Sequence, residues 1–395
     1  MSLANGWIAK KHALSAANGA RFAHLAMTKI MFGAPWRFTL LSCVGLAAGA
    51  LGAQDAALDA LPHYASEQKV SGTIRNYGNA YAGLLKRWEE AFQKFHPGVV
   101  FADTLPTSDA AFPALITGVT DLAPDGSEPI VTETLGFFEV YGYHATAITV
   151  ASGTFDDEGR SPGPVVFVQR DNPLAQLTMA QLDGIFGAER NGGLRGFKWT
   201  LDDARGPEKD LRTWGQLGLT GEWADKPIQT YGHAPSGTER FFMLKVLANS
   251  EKWNPNYRGY VETGSKMIAD SDQTEQRGGI RHMLEHELAS NRDGIAWTIM
   301  PQARGIAGIK PLALAAQAGG PYVTPSRESF QNRTYPLGRS IYLYLNRKPG
   351  TPVEPKLREF LRFILSREGQ AIVADGSGFL PLPAATVAEQ RAKLD

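Results

Sequence analysis

The 395-residue chain has one cysteine, Cys43, which excludes an internal disulfide, a cysteine-rich metal site and a thiol–disulfide pair. Acidic residues are missing from the first 53 positions, where Lys10, Lys11, Arg21, Lys29 and Arg37 supply the only formal charges. The formal charge of +0 therefore hides a basic leader and a body of net charge −5. A mildly acidic body lacks the basic face that general nucleic-acid binding requires. No apolar stretch reaches the ~20 residues needed to span a bilayer as a helix. The longest candidate, Phe38 to Ala53, has 16 residues and is rich in Leu, Ala and Gly. Also missing are a G-x-x-x-x-G-K-S/T phosphate loop, a G-x-S-x-G nucleophile elbow and a dinucleotide glycine fingerprint. Internal repeats and low-complexity tracts are absent too.

What stands at the amino terminus reads as an export signal. Lys29 and Arg37 precede the apolar stretch, and Ala48, Ala50, Gly52 and Ala53 offer small-residue cleavage points. Met27 and Met31 are alternative starts. Five residues separate Arg37 from Cys43, too few for a lipoprotein signal. Residues 1–53 are thus a leader, and a cysteine-free mature protein suits an oxidising compartment such as the periplasm. Residues 54–69 are mixed and aperiodic, and read as a linker.

From Val70 onward strands and helices alternate. Gly72–Tyr77 reads as a strand, and Leu84, Leu85, Trp88, Phe92 and Phe95 recur at helical spacing before the stop at His96-Pro97-Gly98. Val99–Thr104 is a second strand, and a short helix is expected around Ala114. Further strands are expected at Ala145–Ala151, Val165–Gln169 and Ser340–Leu345, with a helix at Leu357–Leu365 and a helix-rich middle third. This alternation predicts α/β layers with a largely parallel sheet.

Three loops carry binding chemistry. Ser236-Gly237-Thr238 opens a predicted helix after a strand at Ile228–Tyr231, where exposed N–H groups and the positive dipole end favour an anion. A plain N-cap would use the same residues. Thr107-Ser108, with Asp121 and then Asp125-Gly126-Ser127-Glu128, offers hydroxyls and an acceptor for a protonated anion; a pair of Asx and Ser turns is the plainer alternative. Gly78-Asn79-Ala80-Tyr81 could present N–H groups and a phenol. All three lie on strand-to-helix turns, where open α/β sheets bind ligands. A fourth pattern, His282-x-x-Glu285-His286, fits the inverted zinc-peptidase signature, but its charged flanks read as a solvated helix and no third ligand is apparent.

Several segments together resemble the periplasmic phosphate-binding proteins of ABC transporters, of the type II periplasmic-binding-protein fold. They are Tyr231-Gly232 with Ser236-Gly237-Thr238, Asp171-Asn172-Pro173-Leu174, Asp293-Gly294-Ile295-Ala296-Trp297, Tyr335-Pro336-Leu337-Gly338-Arg339, and Phe360 to Gln370 with Gly378 to Pro383. The resemblance implies two α/β sandwiches joined by a two-stranded hinge: residues 70–159 plus 336–395 in lobe 1 and 160–335 in lobe 2. It implies a monomeric binding protein, not an enzyme, that needs no cofactor or metal and delivers inorganic phosphate or a related oxyanion to membrane permease subunits. The family's ligand loops map onto Ala80, Tyr81, Thr107, Ser108, Asp121, Ser236, Gly237 and Thr238. Two departures stand out. The arginine usual before Ser-Gly-Thr is replaced by Gly232-His233-Ala234-Pro235, and Ser127-Glu128 stands where many relatives have Ser-Arg. Arg240, or His233 when protonated, is expected to supply the missing charge, with binding strengthening below about pH 6.5 in the histidine case. The alternatives are a zinc-dependent hydrolase built on His282, Glu285 and His286, or a binding fold used for signalling or adhesion.

Overall fold

The computed structural model describes residues 58–195, 198–261 and 279–395. The expected leader at 1–53 lies outside them. Strand β1 (Gly72–Tyr77) feeds helix α1 (Leu84–Gln93), whose Leu84, Leu85, Trp88 and Phe92 form the buried stripe that their spacing predicts. Strand β2 (Val99–Thr104) pairs in parallel with β1. Helix α2 (Ala111–Ile116), strand β3 (Ala123–Asp125), helix α3 (Val131–Tyr141) and strand β4 (Thr146–Ser152) follow.

The chain then crosses into a second sheet. Strand β5 (Pro164–Gln169) is apolar and buried nearly end to end, as a central strand covered on both faces must be. After it come β6 (Gln229–His233), helix α4 (Gly237–Val246), β7 (Arg258–Tyr260), β8 (Gly294–Ile299) and β9 (Ile309–Pro311). These strands stand in the order β7-β6-β8-β5-β9. The middle third is less helical than the sequence led us to expect; short strands and single 3-10 turns fill much of it. Gly and Pro interrupt helical runs there, at Gly206-Pro207 and Gly218 to Gly221 for example.

Strand β10 (Ser340–Leu345) brings the chain back and pairs antiparallel with both β3 and β4. Helices α5 (Pro355–Ile364), α6 (Arg367–Ala374) and α7 (Ala384–Ala392) close the first lobe. Each lobe has its own core: one runs from Val165 to Leu337 with Leu380 added, the other joins Leu58–Ala151 to Ile341–Leu394. Where the lobes meet, Ser340 pairs with Ser152, and the Gly153 N–H donates to the Arg339 carbonyl at 2.8 Å. These two adjacent strand ends form the hinge.

The expected linker needs correction. Residues 58–64 belong to the first lobe, because Leu58, Leu61 and Tyr64 are buried in its core. The Tyr64 hydroxyl donates to Glu359 Oε2 at 2.7 Å and lies 2.6 Å from His96 Nε2. An irregular segment has no period to read, so packing of this kind leaves no pattern in the sequence.

Candidate functional site

The carboxyl ends of β1, β2 and β3 converge on one spot. Gly78 is tucked under β3 so closely that a β-carbon there would lie 2.2 Å from the Pro124 carbonyl oxygen, and its φ of +149° suits glycine alone. The next residue, Asn79, donates from its N–H to the Pro124 carbonyl at 2.8 Å and from Nδ2 to Ser108 Oγ at 3.0 Å. Ser108 Oγ also accepts from the Gly126 N–H at 3.1 Å. Three strand-to-helix turns are thus joined through one hydroxyl. Ser161, from the crossing segment, reaches the same place: a β-carbon on Gly126 would lie 3.0 Å from Ser161 Oγ and 3.5 Å from Ser108 Oγ.

Asp125, the last residue of β3, is the carboxylate of this cluster. It is 3% exposed and accepts from the Ser127 N–H and hydroxyl, both at 2.9 Å. Burial pushes its carboxyl up to about 6, against the lowering effect of the Ser127 and Ser108 hydrogen bonds. Asp121, the carboxylate expected in the site, lies at the other end of β3. It is held by Arg75, which donates from its backbone N–H at 2.9 Å and from Nη2 at 2.5 Å. Ligands bind beyond the carboxyl ends of such strands. That rule favours Asp125, which ends the strand, over Asp121, which precedes it.

From the second lobe, the amino end of α4 faces this cluster. Ser236 caps the helix, its Oγ accepting from the Glu239 N–H at 3.1 Å. A β-carbon on Gly237 would meet only Arg240 Nη2, at 3.9 Å, so the cleft is open at this point. Thr238 is buried in the first turn. Ser127, Glu128, Gly237, Arg240 and Arg339 line one cleft between the lobes. Arg240 reaches across it, with Nη2 3.0 Å from Asp109 Oδ1 of the first lobe.

The remaining expected residues sit elsewhere or carry less. Thr107 is exposed in extended backbone just before Ser108, and Ala80 is half-buried. The Tyr81 side chain is buried in the first lobe, and its hydroxyl donates to the Tyr342 carbonyl, so it does not face the cleft. His233 is fully buried, with Nε2 2.9 Å from Thr298 Oγ1 and its ring stacked on Trp297 at 5.0 Å. Burial pulls its imidazole down to about 3. It stays neutral at working pH, so the charge expected of it does not arise.

His282 and His286 are exposed, with ring centroids 4.4 Å apart, and Glu285 pairs with Arg281 at 2.9 Å. Among the described residues no group of three His, Cys, Asp or Glu could hold a metal ion. No helix among them is long and apolar enough to cross a membrane.

Residues 163–368 match the family model described as a PBP superfamily domain. The phosphate-binding protein PstS of Pseudomonas aeruginosa is 33% identical over 355 residues, which cover 89% of this chain and 96% of that one. PstS of Staphylococcus saprophyticus is 22% identical over 334 residues, 84% of this chain and 87% of the other. Among solved structures, an ABC-type phosphate transport receptor from Vibrio cholerae shares 16% identity, covers 78% of this chain and 99% of its own, and gives a TM-score of 0.45. The chain belongs to the phosphate-binding protein PstS family of the PBP superfamily.

Proposed function

We propose that this member of the PstS family captures inorganic phosphate in the cleft between its lobes and presents it to the membrane subunits of an ABC permease. The reading rests on one observation above the rest. Ser127 of one lobe and Gly237 at the amino end of α4 in the other line a single cleft, Ser127 is hydrogen-bonded to Asp125 and adjoins the Gly126 held by Ser108, and the chain aligns with a PstS protein over 89% of its length. Backbone N–H groups and hydroxyls donate to the anion's oxygens, and the helix dipole favours its charge. Asp125 cannot donate while ionised, so it would accept a proton that the anion still carries. Sulfate has no such proton at neutral pH and would face a bare buried carboxylate. The two-stranded hinge suits closure of the lobes around ligand. The protein works as a periplasmic monomer released by cleavage of the leader, without catalysis.

Calorimetric titration with phosphate and sulfate tests the reading. Phosphate should bind at least a hundredfold more tightly than sulfate at pH 7.5. Equal affinities, or no phosphate binding, would reject it. Metal content, measured in parallel, bears on the hydrolase alternative: one zinc per chain, lost on His286→Ala, would favour that class.

A further inference from the structure

The cleft contains a cation that no motif around the Ser-Gly-Thr turn announces. Arg339 is the last residue before β10, and its carbonyl is fixed in the hinge by the Gly153 N–H at 2.8 Å. Its side chain is 7% exposed, lies over the Phe241 ring at 5.3 Å, and donates from Nη2 to the Gly237 carbonyl at 3.3 Å. Nε is buried with no hydrogen-bond partner. A buried, charged donor left unmade is costly, which makes it a group awaiting a partner.

The negative charge around Arg339 is also incomplete. In the β3–β10 ladder Tyr342 stands opposite Asp125, and continuing that register would set Arg339 opposite Glu128. Glu128 Oε1 accepts from the Tyr342 hydroxyl at 3.0 Å, while Oε2 is buried without a partner. Glu128 and Asp125 both favour the charged guanidinium, against the larger effect of burial. Yet neither carboxylate forms an ion pair with Arg339. A buried arginine and a half-buried glutamate thus share one cleft with an unmet buried atom each.

We infer that Arg339, supplied by the hinge, is the guanidinium that meets the bound anion in place of the arginine missing before Ser236. Nε and Nη2 lie on the same edge of the planar group, the edge that grips two oxygens of a phosphate at once. Nη2 already touches Gly237, the first residue of α4, so an anion at that helix end lies within reach of the edge. Glu128 is the counter-charge that keeps the guanidinium ionised while the cleft is empty. Because the Arg339 backbone belongs to the hinge pairing, this donor is tied to the hinge strands rather than to either lobe's ligand turn. The inference rests on the cleft being the phosphate site.

Calorimetry with inorganic phosphate on four proteins separates the two claims. Arg339→Met should lose at least a hundredfold in affinity, and Arg339→Lys should recover part of it, because the charge returns without the fork. Thr238→Val should lose about tenfold. Arg339→Met within threefold of the unmodified protein, beside a weakened Thr238→Val, would overturn the role of Arg339 and leave the site standing. If both bound phosphate unchanged, the location of the site would be what failed, and the inference would fall with it. Should Arg339→Met not melt cooperatively, a crystal structure of the unmodified protein grown with phosphate decides. An anion oxygen within hydrogen-bond distance of Nε supports the assignment; Nε without an anion contact overturns it.

Discussion

The two sides of the cleft are built on different principles. On the first lobe, Asn79, Ser108, Gly126, Asp125 and Ser127 come from three turns and bind one another as much as any ligand. On the second lobe the candidate site is one segment, Ser236 to Thr238 at the amino end of α4, where a helix leaves its first N–H groups without intrahelical partners. The first side is a network whose members fix each other, and the second is a local feature that any capped helix possesses. A network costs more when one member is lost, because its neighbours lose partners too. A helix end should lose donors one at a time.

Between the first lobe's turns and the helix end, the larger effect should therefore come from the first lobe, at Asp125. Replacing it with Asn puts a donor where the ligand's own hydroxyl must donate, so we expect a phosphate affinity about a hundredfold lower at pH 7.5. The sign of the pH dependence follows from the raised carboxyl. Asp125 ionises near 6, so binding should weaken as pH falls through 6. This is opposite to what a protonated His233 would give. Taking the ratio of unmodified to Asp125→Asn affinities at each pH removes phosphate's own titration. A ratio that stays flat from pH 5 to 8 would show that Asp125 is not the proton acceptor.

Stability should move the other way. A carboxyl raised from 3.8 to about 6 in the fold costs on the order of 3 kcal/mol once ionised. That cost is fully present above pH 6, shrinks between 6 and 3.8, and is gone below the unfolded value. Ligand-free Asp125→Asn protein should therefore melt higher than the unmodified protein at pH 7.5 and lose that advantage by pH 4. A lower melting temperature at pH 7.5 would mean that the hydrogen bonds from Ser127 outweigh the burial cost.

The same contrast explains what could be read in the sequence. The helix end was legible because its signal is local: a strand, a Ser-Gly-Thr and an apolar helix in one stretch. Strand and helix positions around β1, α1, β2 and β10 were legible for the same reason, since burial follows a period. The network was harder. Thr107-Ser108 and Asp125 to Glu128 stood out as turns, but choosing Asp125 over Asp121 needed the ends of β3, and three residues make a faint strand. Tyr81 carries the right chemistry, yet its side chain turns inward at φ +48° to bond Tyr342, more than 260 positions away. His233 looked like a spare cation from its place beside the turn, and only packing against Trp297 and Thr298 shows it neutral. Arg339 stands about a hundred positions from Gly237, so no local spacing could bring them together.

Thr238→Val and Ser108→Ala probe the two sides at smaller scale. The first removes one hydroxyl and leaves the backbone donors of α4, so about a tenfold loss is expected, with melting unchanged within a degree or two. Ser108→Ala removes the acceptor of both Asn79 Nδ2 and the Gly126 N–H. Its loss should be similar in affinity, but with a lower melting temperature, because two donors are left searching for partners. Equal melting temperatures for the two variants would erase the distinction between network and helix end.

The smallest expected effect tests whether the bridge between the two sides matters. Arg240 and Asp109 are the ion pair that spans the cleft, at 3.0 Å, with side chains 34% and 59% exposed. Pairs this exposed are weakened by water and salt, and their worth falls in the range of about 0–1 kcal/mol. If the pair serves only to hold the closed form, Arg240→Met and Asp109→Asn should each lower phosphate affinity by no more than about fivefold, and the double variant should be no worse than either single one. Raising the ionic strength should remove the effect in the unmodified protein while leaving both variants alone. A loss of a hundredfold in Arg240→Met, beside a near-normal Asp109→Asn, would instead mean that Arg240 touches the anion directly. The charge missing before Ser236 would then be supplied from α4, the helix-end side of the cleft, and Arg339 would be left as a structural cation of the hinge.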